Sequence, residues 1–306
     1  MRAVLTAFLA IVAASVPAPV SAAEQPLAGA MVRLDMTTVD TACGPQSMAR
    51  VGAATQVPLL LLNGTGSPAS EWDPSLLASL ARTREVIVWD YPGLGTSTPL
   101  RDVTFDALAD CASTLVVASG APKVDVLGWS MGGFVAQRLA VRHRDVVRRL
   151  VLVGTNPGGP RTVLGPDWVQ VEDSDPDASL NDYVRTNYPP GHRDRGWAFI
   201  ARLDQAVSSG CYRETTVPAG VYDQMVAAEG PWLASSTNAR QLMSLRLPAL
   251  VMVGVDDVIT PAGNSERIAA VIPGARLVRV PHAGHSVLFS FPVRTARSIA
   301  AFLSAT

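Results

Sequence analysis

Short apolar runs alternate with stretches of helical periodicity along much of the chain. The runs have strand length and contain few polar residues, which predicts strands buried on both faces of a sheet. They lie at 57–62, 85–89, 124–127, 149–153 and 249–253. Between them, apolar residues recur at helical spacing near 74–82, 105–116 and 134–140. This alternation predicts an α/β fold with a mostly parallel, doubly wound sheet and right-handed crossovers.

The alternation is interrupted once. Segment 156–246 contains frequent prolines and glycines and no strand-helix repeat. We therefore expect an inserted, mainly helical cap over 156–246, carried by a core formed from 24–155 and 247–306.

Further elements are expected toward both ends of the core. After the interruption, the pattern predicts a helix near 264–271, a strand at 276–280 and a final helix near 292–303. Near the start, two short strands are expected at 31–35 and 49–53.

A serine between glycines follows one of the predicted strands directly. Gly128-x-Ser130-x-Gly132 joins the apolar run at 124–127 to a helical stretch. Small residues on both sides permit a turn too tight for side chains, which leaves the serine hydroxyl exposed at the end of the strand. The backbone N–H of Met131 then lies in the first helical turn, where unpaired N–H groups favour an anion. A serine motif alone is a weak signal, but the strand before it and the helix after it indicate a nucleophile.

The N-terminus has the pattern of a secretory signal peptide. Arg2 is followed by an apolar stretch at 3–14 and by Ser21-Ala22-Ala23. We expect cleavage near Ala23, which removes residues 1–23 and places the protein outside the cytoplasm. The apolar stretch is shorter than the ~20 residues that a spanning helix needs, so no stable membrane insertion of the mature chain is expected.

Composition excludes some classes of function. The 306 residues are 48% hydrophobic, enough for a large core. The chain has 25 basic and 26 acidic residues, a balance that does not favour nucleic acid as a partner. Cys43, Cys111 and Cys211 allow at most one intramolecular disulfide, with three pairings open. Their spacing does not resemble a metal site, and we expect no metal and no cofactor.

Two turns together resemble the α/β-hydrolase superfamily. The elbow at 128–133, Gly-Trp-Ser-Met-Gly-Gly, is similar to those of the esterase, non-haem haloperoxidase and enol-lactonase branches. The turn at 90–97, Asp-Tyr-Pro-Gly-Leu-Gly-Thr-Ser, resembles the Asp-x-x-Gly-x-Gly-x-Ser turn of the family. The resemblance covers essentially all of the mature sequence. It implies the α/β-hydrolase fold and a triad in the order Ser, acid, His, with the last two after later strands.

The resemblance places the remaining triad members in two loops. The histidine is assigned to His285, which follows a glycine as in the family, in preference to His282. The acid is assigned to Asp257, which fits a Gly-x-x-Asp-x-x-x-Pro pattern, with Asp256 as the alternative. Some relatives carry the acid after an earlier strand, where this chain has Thr155 and Asn156.

The same family uses two backbone donors to bind an oxyanion. We expect these to be the N–H groups of Met131 and of Thr65, which follows the 57–62 strand. Relatives usually have His-Gly before the second donor, and this chain has Asn63-Gly64. Because the donor belongs to the main chain, the change need not impair catalysis.

Aromatic residues suggest the wall of a substrate pocket. Three of the six tryptophans and four of the five tyrosines lie in 156–246. The pocket candidates are Trp129, Trp168, Trp197 and Trp232. These aromatic residues, with few charges of a consistent sign in 156–246, predict uncharged esters with a short to medium acyl chain. No acidic cluster for a substrate amino group stands out in this segment, which disfavours a peptidase that binds an amino terminus.

The sequence thus predicts an exported serine hydrolase that cleaves carboxylic esters or lactones of a small acyl substrate through an acyl-enzyme. Ser130 at the elbow argues against enzymes that need a carboxylate nucleophile there. One alternative is an exported aminopeptidase of the same fold. Another is a catalytically silent hydrolase-fold binding protein, which predicts the loss of at least one triad member.

Overall fold

The computed structural model describes residues 31–175 and 178–305, so the predicted signal peptide lies outside the described residues. The described chain forms one eight-stranded sheet in the order β1-β2-β4-β3-β5-β6-β7-β8. The pairs β1–β2 and β2–β4 are antiparallel, and the other neighbours are parallel. The strands are β1 Thr37–Thr41, β2 Gly44–Val51, β3 Leu59–Leu62, β4 Val86–Trp89, β5 Val124–Trp129, β6 Val147–Val153, β7 Ala249–Gly254 and β8 Arg276–Val280. The predicted α/β fold with a mostly parallel sheet is confirmed.

Helices cover both faces of the sheet. Alternate residues of β3 point to opposite faces, as strand geometry requires. Leu59 and Leu61 pack in the core that includes α1 and α12, whereas Leu60 and Leu62 pack in the core that includes α2 and α3. The helices of this framework are α1 Pro74–Ala81, α2 Phe105–Ala118, α3 Met131–Arg142, α10 Ala262–Val271, α11 Val287–Ser290 and α12 Pro292–Ser304.

Between β6 and β7 the described residues form six helices and no strand. They are α4 Asp167–Ser174, α5 Leu180–Asn187, α6 Asp194–Ser208, α7 Ala219–Ala227, α8 Glu229–Ala234 and α9 Thr237–Leu242. All six fall within segment 156–246.

Of the two predicted N-terminal strands, the one at 31–35 is wrong, whereas the one at 49–53 overlaps the end of β2. The structure has a hairpin of β1 and β2, whereas 31–35 is irregular. Apolar counting missed β1 because this strand, Thr-Thr-Val-Asp-Thr, lies at the sheet edge and is largely exposed. Leu34 is buried as a strand residue would be, which favoured a strand at 31–35. Its N–H, however, donates to the Cys211 carbonyl at 2.9 Å and not to a neighbouring strand.

One disulfide joins the hairpin to the framework. Cys43, in the β1–β2 turn, pairs with Cys111 of α2. This resolves the three pairings that the sequence left open, with Cys211 as the free cysteine.

Candidate active site

The turn from β5 into α3 holds Ser130 in a strained backbone conformation. Its φ of 55° lies in the left-handed region, which non-glycine residues rarely adopt. A Cβ on Gly128 would lie 2.2 Å from the Gly132 carbonyl oxygen, and a Cβ on Gly132 would lie 2.0 Å from that of Leu62. The elbow therefore packs backbone to backbone against the end of β3, which only glycine at these positions allows.

A second strand end provides a buried carboxylate. Asp257 follows β7 and is 4% exposed. One oxygen accepts the N–H groups of Ile259 and Thr260 at 3.0 and 2.8 Å. The other accepts the Thr260 hydroxyl at 2.9 Å and lies 3.0 Å from Nδ1 of His285. These bonds fix the carboxylate and aim it at the imidazole.

His285 follows β8 and is 2% exposed. Its carbonyl oxygen accepts a hydrogen bond from Nε1 of Trp129 at 3.0 Å, which ties the histidine loop to the residue before Ser130. Burial lowers the pKa of His285, but Asp257 outweighs it, and Asp173 and Glu229 add to its effect, so that the pKa is raised. An imidazole bonded to a buried carboxylate has the arrangement that a general base requires.

The rival residues lie elsewhere. Asp256 is exposed, and its N–H bonds the Ala283 carbonyl at 2.9 Å. His282 is exposed as well, and its ring lies 5.2 Å from that of His192. At the earlier strand end, the Asn156 side chain accepts Nε1 of Trp232 at 2.8 Å. These residues are not brought together with Ser130.

The loop after β3 lies against the elbow. A Cβ on Gly64 would lie 2.9 Å from the Trp129 ring and 3.6 Å from Cβ of Ser130. The Gly64 N–H bonds the Asn63 side chain at 3.0 Å, and the Gly66 N–H bonds the Met225 sulfur at 3.4 Å. Thr65 lies between Gly64 and Gly66, whose N–H groups are both hydrogen-bonded. The Asn63 side chain also donates to the Pro68 carbonyl at 2.9 Å. The asparagine thus supports the loop from within.

A cavity of about 530 Å³ contains Ser130, His285, Thr65 and Trp129 in its wall. One part of the wall is aromatic. The ring of Phe289 lies 4.8 Å from Trp129 and is stacked on Phe199 at 4.6 Å. Further apolar wall residues come from α5 to α7: Leu180, Ile200, Leu203, Val207 and Val226. The cavity can therefore bind an apolar group beside Ser130.

Three of the four predicted pocket tryptophans are not in this cavity. Trp168 and Trp197 are 45% and 43% exposed. Trp232 lines a different cavity and stacks on Phe134 at 5.0 Å. The prediction is wrong for these three because residue type does not tell which aromatic side chains face the site; Phe199 and Phe289 line the cavity instead. Residue spacing in the sequence does not show how the helices of 156–246 are placed over the core.

The expectation that 156–246 offers no acidic cluster is also corrected. The described lining contains no lysine or arginine and has six acidic residues, all but the first from 156–246: Glu71, Glu172, Asp173, Asp204, Glu214 and Glu229. Burial raises the pKa of both Glu71 and Glu229 to about 7. Asp173 adds to this effect at Glu229. These acids lie far apart in the sequence, so only the fold reveals them as a group.

Within 31–175 and 178–305, no three His, Cys, Asp or Glu side chains form a group able to hold a metal ion. Over the same ranges, no helix has the length and apolar character needed to cross a membrane.

Comparison with known proteins agrees with this fold. Residues 59–298 match the sequence profile of the Alpha/beta hydrolase family. The chain therefore belongs to the α/β-hydrolase family, as the two turns suggested.

Individual relatives are about a fifth to a third identical to this chain over the aligned residues. The pimeloyl-[acyl-carrier protein] methyl ester esterase of Nitrosomonas europaea is 31% identical over 237 residues, which are 76% of this chain and 90% of the esterase. The polyketide synthase ThaQ of Burkholderia thailandensis is 31% identical over 259 residues, 81% of this chain but only 12% of the synthase. An alpha/beta hydrolase fold protein from Chitinophaga pinensis superposes with a TM-score of 0.79 at 21% identity, covering 89% and 98% of the two chains.

Proposed function

We propose that the protein is an exported serine hydrolase that cleaves carboxylic esters or lactones through an acyl-enzyme. The observation that carries this proposal is that His285, bonded to the buried Asp257, lines the same cavity as the strained Ser130. The 31% identity to a methyl ester esterase over most of both chains supports ester bonds as the target. A silent binding protein is disfavoured because all three triad residues are present.

In this proposal Ser130 Oγ attacks the ester carbonyl and passes its proton to Nε2 of His285. Asp257 orients the ring through Nδ1 and stabilises the imidazolium. The N–H groups of Thr65 and Met131 donate to the oxyanion of the tetrahedral intermediate. The alcohol leaves with the proton from His285, and water then hydrolyses the acyl-enzyme by the same steps.

Segment 156–246 is proposed to act as a cap over this site. Residues of α4 to α8 supply much of the cavity wall, including Phe199 and Glu229. Inserted segments that cover strand ends in α/β folds commonly shape the ligand pocket. The cap would therefore set the substrate range.

Export remains a proposal based on residues 1–23. The Cys43–Cys111 disulfide supports it, because such bonds persist mainly in oxidising compartments. N-terminal sequencing of the protein recovered from outside the cytoplasm tests it, and an N-terminus near Glu24 is expected. Recovery only in the cytoplasm with residue 2 intact would contradict export.

The activity is tested with 4-nitrophenyl esters of increasing acyl length beside alanyl and prolyl anilides. We expect ester turnover that Ser130→Ala abolishes and that a chelator does not affect. Faster turnover of the anilides than of every ester would replace the esterase by a peptidase of the same fold. Loss of activity with chelator would contradict the metal-free mechanism.

A further inference from the structure

The acidic wall of the site cavity divides into rim and interior. Glu172 is paired with Arg185, with Nε 3.0 Å from the carboxylate, and the other rim acids are exposed: Asp173, Asp204 and Glu214. The remaining acids are Glu71 and Glu229, and His285 is the only basic side chain among the described lining residues. The interior therefore holds two carboxyl groups with no lysine or arginine in the described lining to pair with them.

Glu229 lies beside the proposed oxyanion donor. Its Oε1 is 3.3 Å from the hydroxyl oxygen of Thr65. Three bonds separate this hydroxyl oxygen from the Thr65 nitrogen, so the carboxylate lies within about 7 Å of that nitrogen. A carbonyl oxygen bound there lies about 3 Å from the same nitrogen. A substrate nitrogen one or two carbons from the carbonyl can therefore reach the carboxylate.

Negative charge at this place is unfavourable unless a cation offsets it. Burial, and then the nearby Asp173, raise the pKa of Glu229, since they disfavour its charged form. A carboxylate near the oxyanion donors also opposes the negative charge that develops on the substrate oxygen. A positively charged substrate group would offset both effects.

A second feature of the wall indicates a polar ligand. The hydroxyl of Ser70 lines the same cavity, is shielded from solvent and has no hydrogen-bond partner within the described residues. Shielded polar groups in proteins almost always have a partner. A substrate with a hydrogen-bonding substituent would supply one.

We propose that this cavity selects esters with an apolar body and a cationic nitrogen a few bonds from the reacting carbonyl, with Glu229 as the residue that binds the cation. The inference rests on the proposed ester hydrolysis and names its substrate class. It replaces the expectation of uncharged esters. The aromatic wall of Trp129, Phe289 and Phe199 would bind the apolar body.

Two pairs of isosteric esters test it. In the acyl pair, the 4-nitrophenyl esters of alanine and isobutyric acid differ by an ammonium in place of a methyl group. In the alcohol pair, butyrylcholine is compared with 3,3-dimethylbutyl butyrate. The ratio of kcat/KM, charged over uncharged, is measured in the native protein and in variants at pH 7.5. The difference in intrinsic reactivity between the two esters of a pair cancels when their ratio is compared between the native protein and a variant.

Glu229→Gln keeps the shape of the side chain and its bond to Thr65, so its effect reports charge. We expect it to lower the ratio about ten- to a hundredfold in at least one pair, as loss of a charged hydrogen bond implies. Glu229→Asp should restore part of the ratio. Asp223→Asn, an exposed acid of the neighbouring α7 outside the cavity lining, is the matched control and should leave the ratio unchanged.

The pair that responds identifies the side of the ester that carries the cation. A ratio unchanged within twofold by Glu229→Gln in both pairs would overturn the inference and leave ester hydrolysis intact. Lack of turnover of all four esters by the native protein would overturn both.

Discussion

Replacing Gly132 by alanine should disable the elbow without touching any catalytic side chain. The added Cβ would lie 2.0 Å from the Leu62 carbonyl oxygen and 2.5 Å from that of Asn63. Such contacts normally exceed 3 Å, so the start of α3 and the end of β3 must separate by about 1 Å. Both proposed oxyanion donors move apart, since Met131 precedes Gly132 and Thr65 follows Asn63.

The expected loss follows from this displacement. A shift of about 1 Å costs about a hundredfold in rate, and loss of one oxyanion donor costs about a hundred- to a thousandfold. We therefore expect kcat/KM for a 4-nitrophenyl ester to fall at least a hundredfold. Overpacking should also lower stability by about 1–3 kcal/mol, which lowers Tm by several degrees in a domain of this size.

Gly263→Ala is the matched control. Gly263 lies in α10, has no heavy atom within 4 Å of its added Cβ, and is outside the cavity lining. Its activity should be native and its Tm equal or slightly higher. Rates are measured well below the Tm of each protein, with circular dichroism to verify folding. A folded Gly132→Ala protein with kcat/KM within tenfold of native would refute the argument.

Three further predictions concern charge at the site. Asp257→Asn should lower kcat by about 10⁴-fold, whereas Asp256→Asn should change it little; steady-state rates test this, and equal effects would remove the assignment to Asp257. Because the pKa of His285 is raised and only its neutral form accepts a proton, kcat/KM for an uncharged ester should rise with pH through a value above 6.5; a midpoint below 6 in a pH–rate profile would contradict this. The raised pKa of Glu71 means that the folded state favours its protonated form, so its contribution to stability is present below about pH 4.5 and is lost as pH rises through about 7. The change in unfolding free energy that Glu71→Gln causes should therefore be about 1–3 kcal/mol more stabilising at pH 8 than at pH 4.5. Urea unfolding of both proteins at the two pH values measures it, and equal changes would contradict this prediction.

The strands and helices of the framework could be predicted because burial on both faces of the sheet requires a recognisable apolar pattern. Strands such as β3 and β5 are continuous apolar runs, and the glycines of the elbow are required by backbone contacts within a few residues. The structure also brought Asp257 and His285 together, as the family resemblance anticipated. These features depend on local order or on a motif that the sequence displays directly.

The cavity wall could not be predicted in the same way. Its composition depends on how α4 to α8 are placed over the strand ends, and no short-range pattern encodes that placement. Trp168 and Trp197 are pocket candidates because an inserted segment should roof the site, yet both are substantially exposed. Glu229 is one of many acids in the sequence and becomes notable only beside Thr65. Thr260, which bonds both Asp257 and His285, was missed because its role depends on the turn after β7.

The central claim is that Ser130 is an activated nucleophile. Incubation with a fluorophosphonate probe, followed by digestion and mass spectrometry, measures which residue becomes covalently modified. We expect a single adduct on the peptide that contains Ser130, slowed strongly by His285→Ala and absent in Ser130→Ala. An adduct on another residue, or labelling of Ser130→Ala at the native rate, would contradict the account.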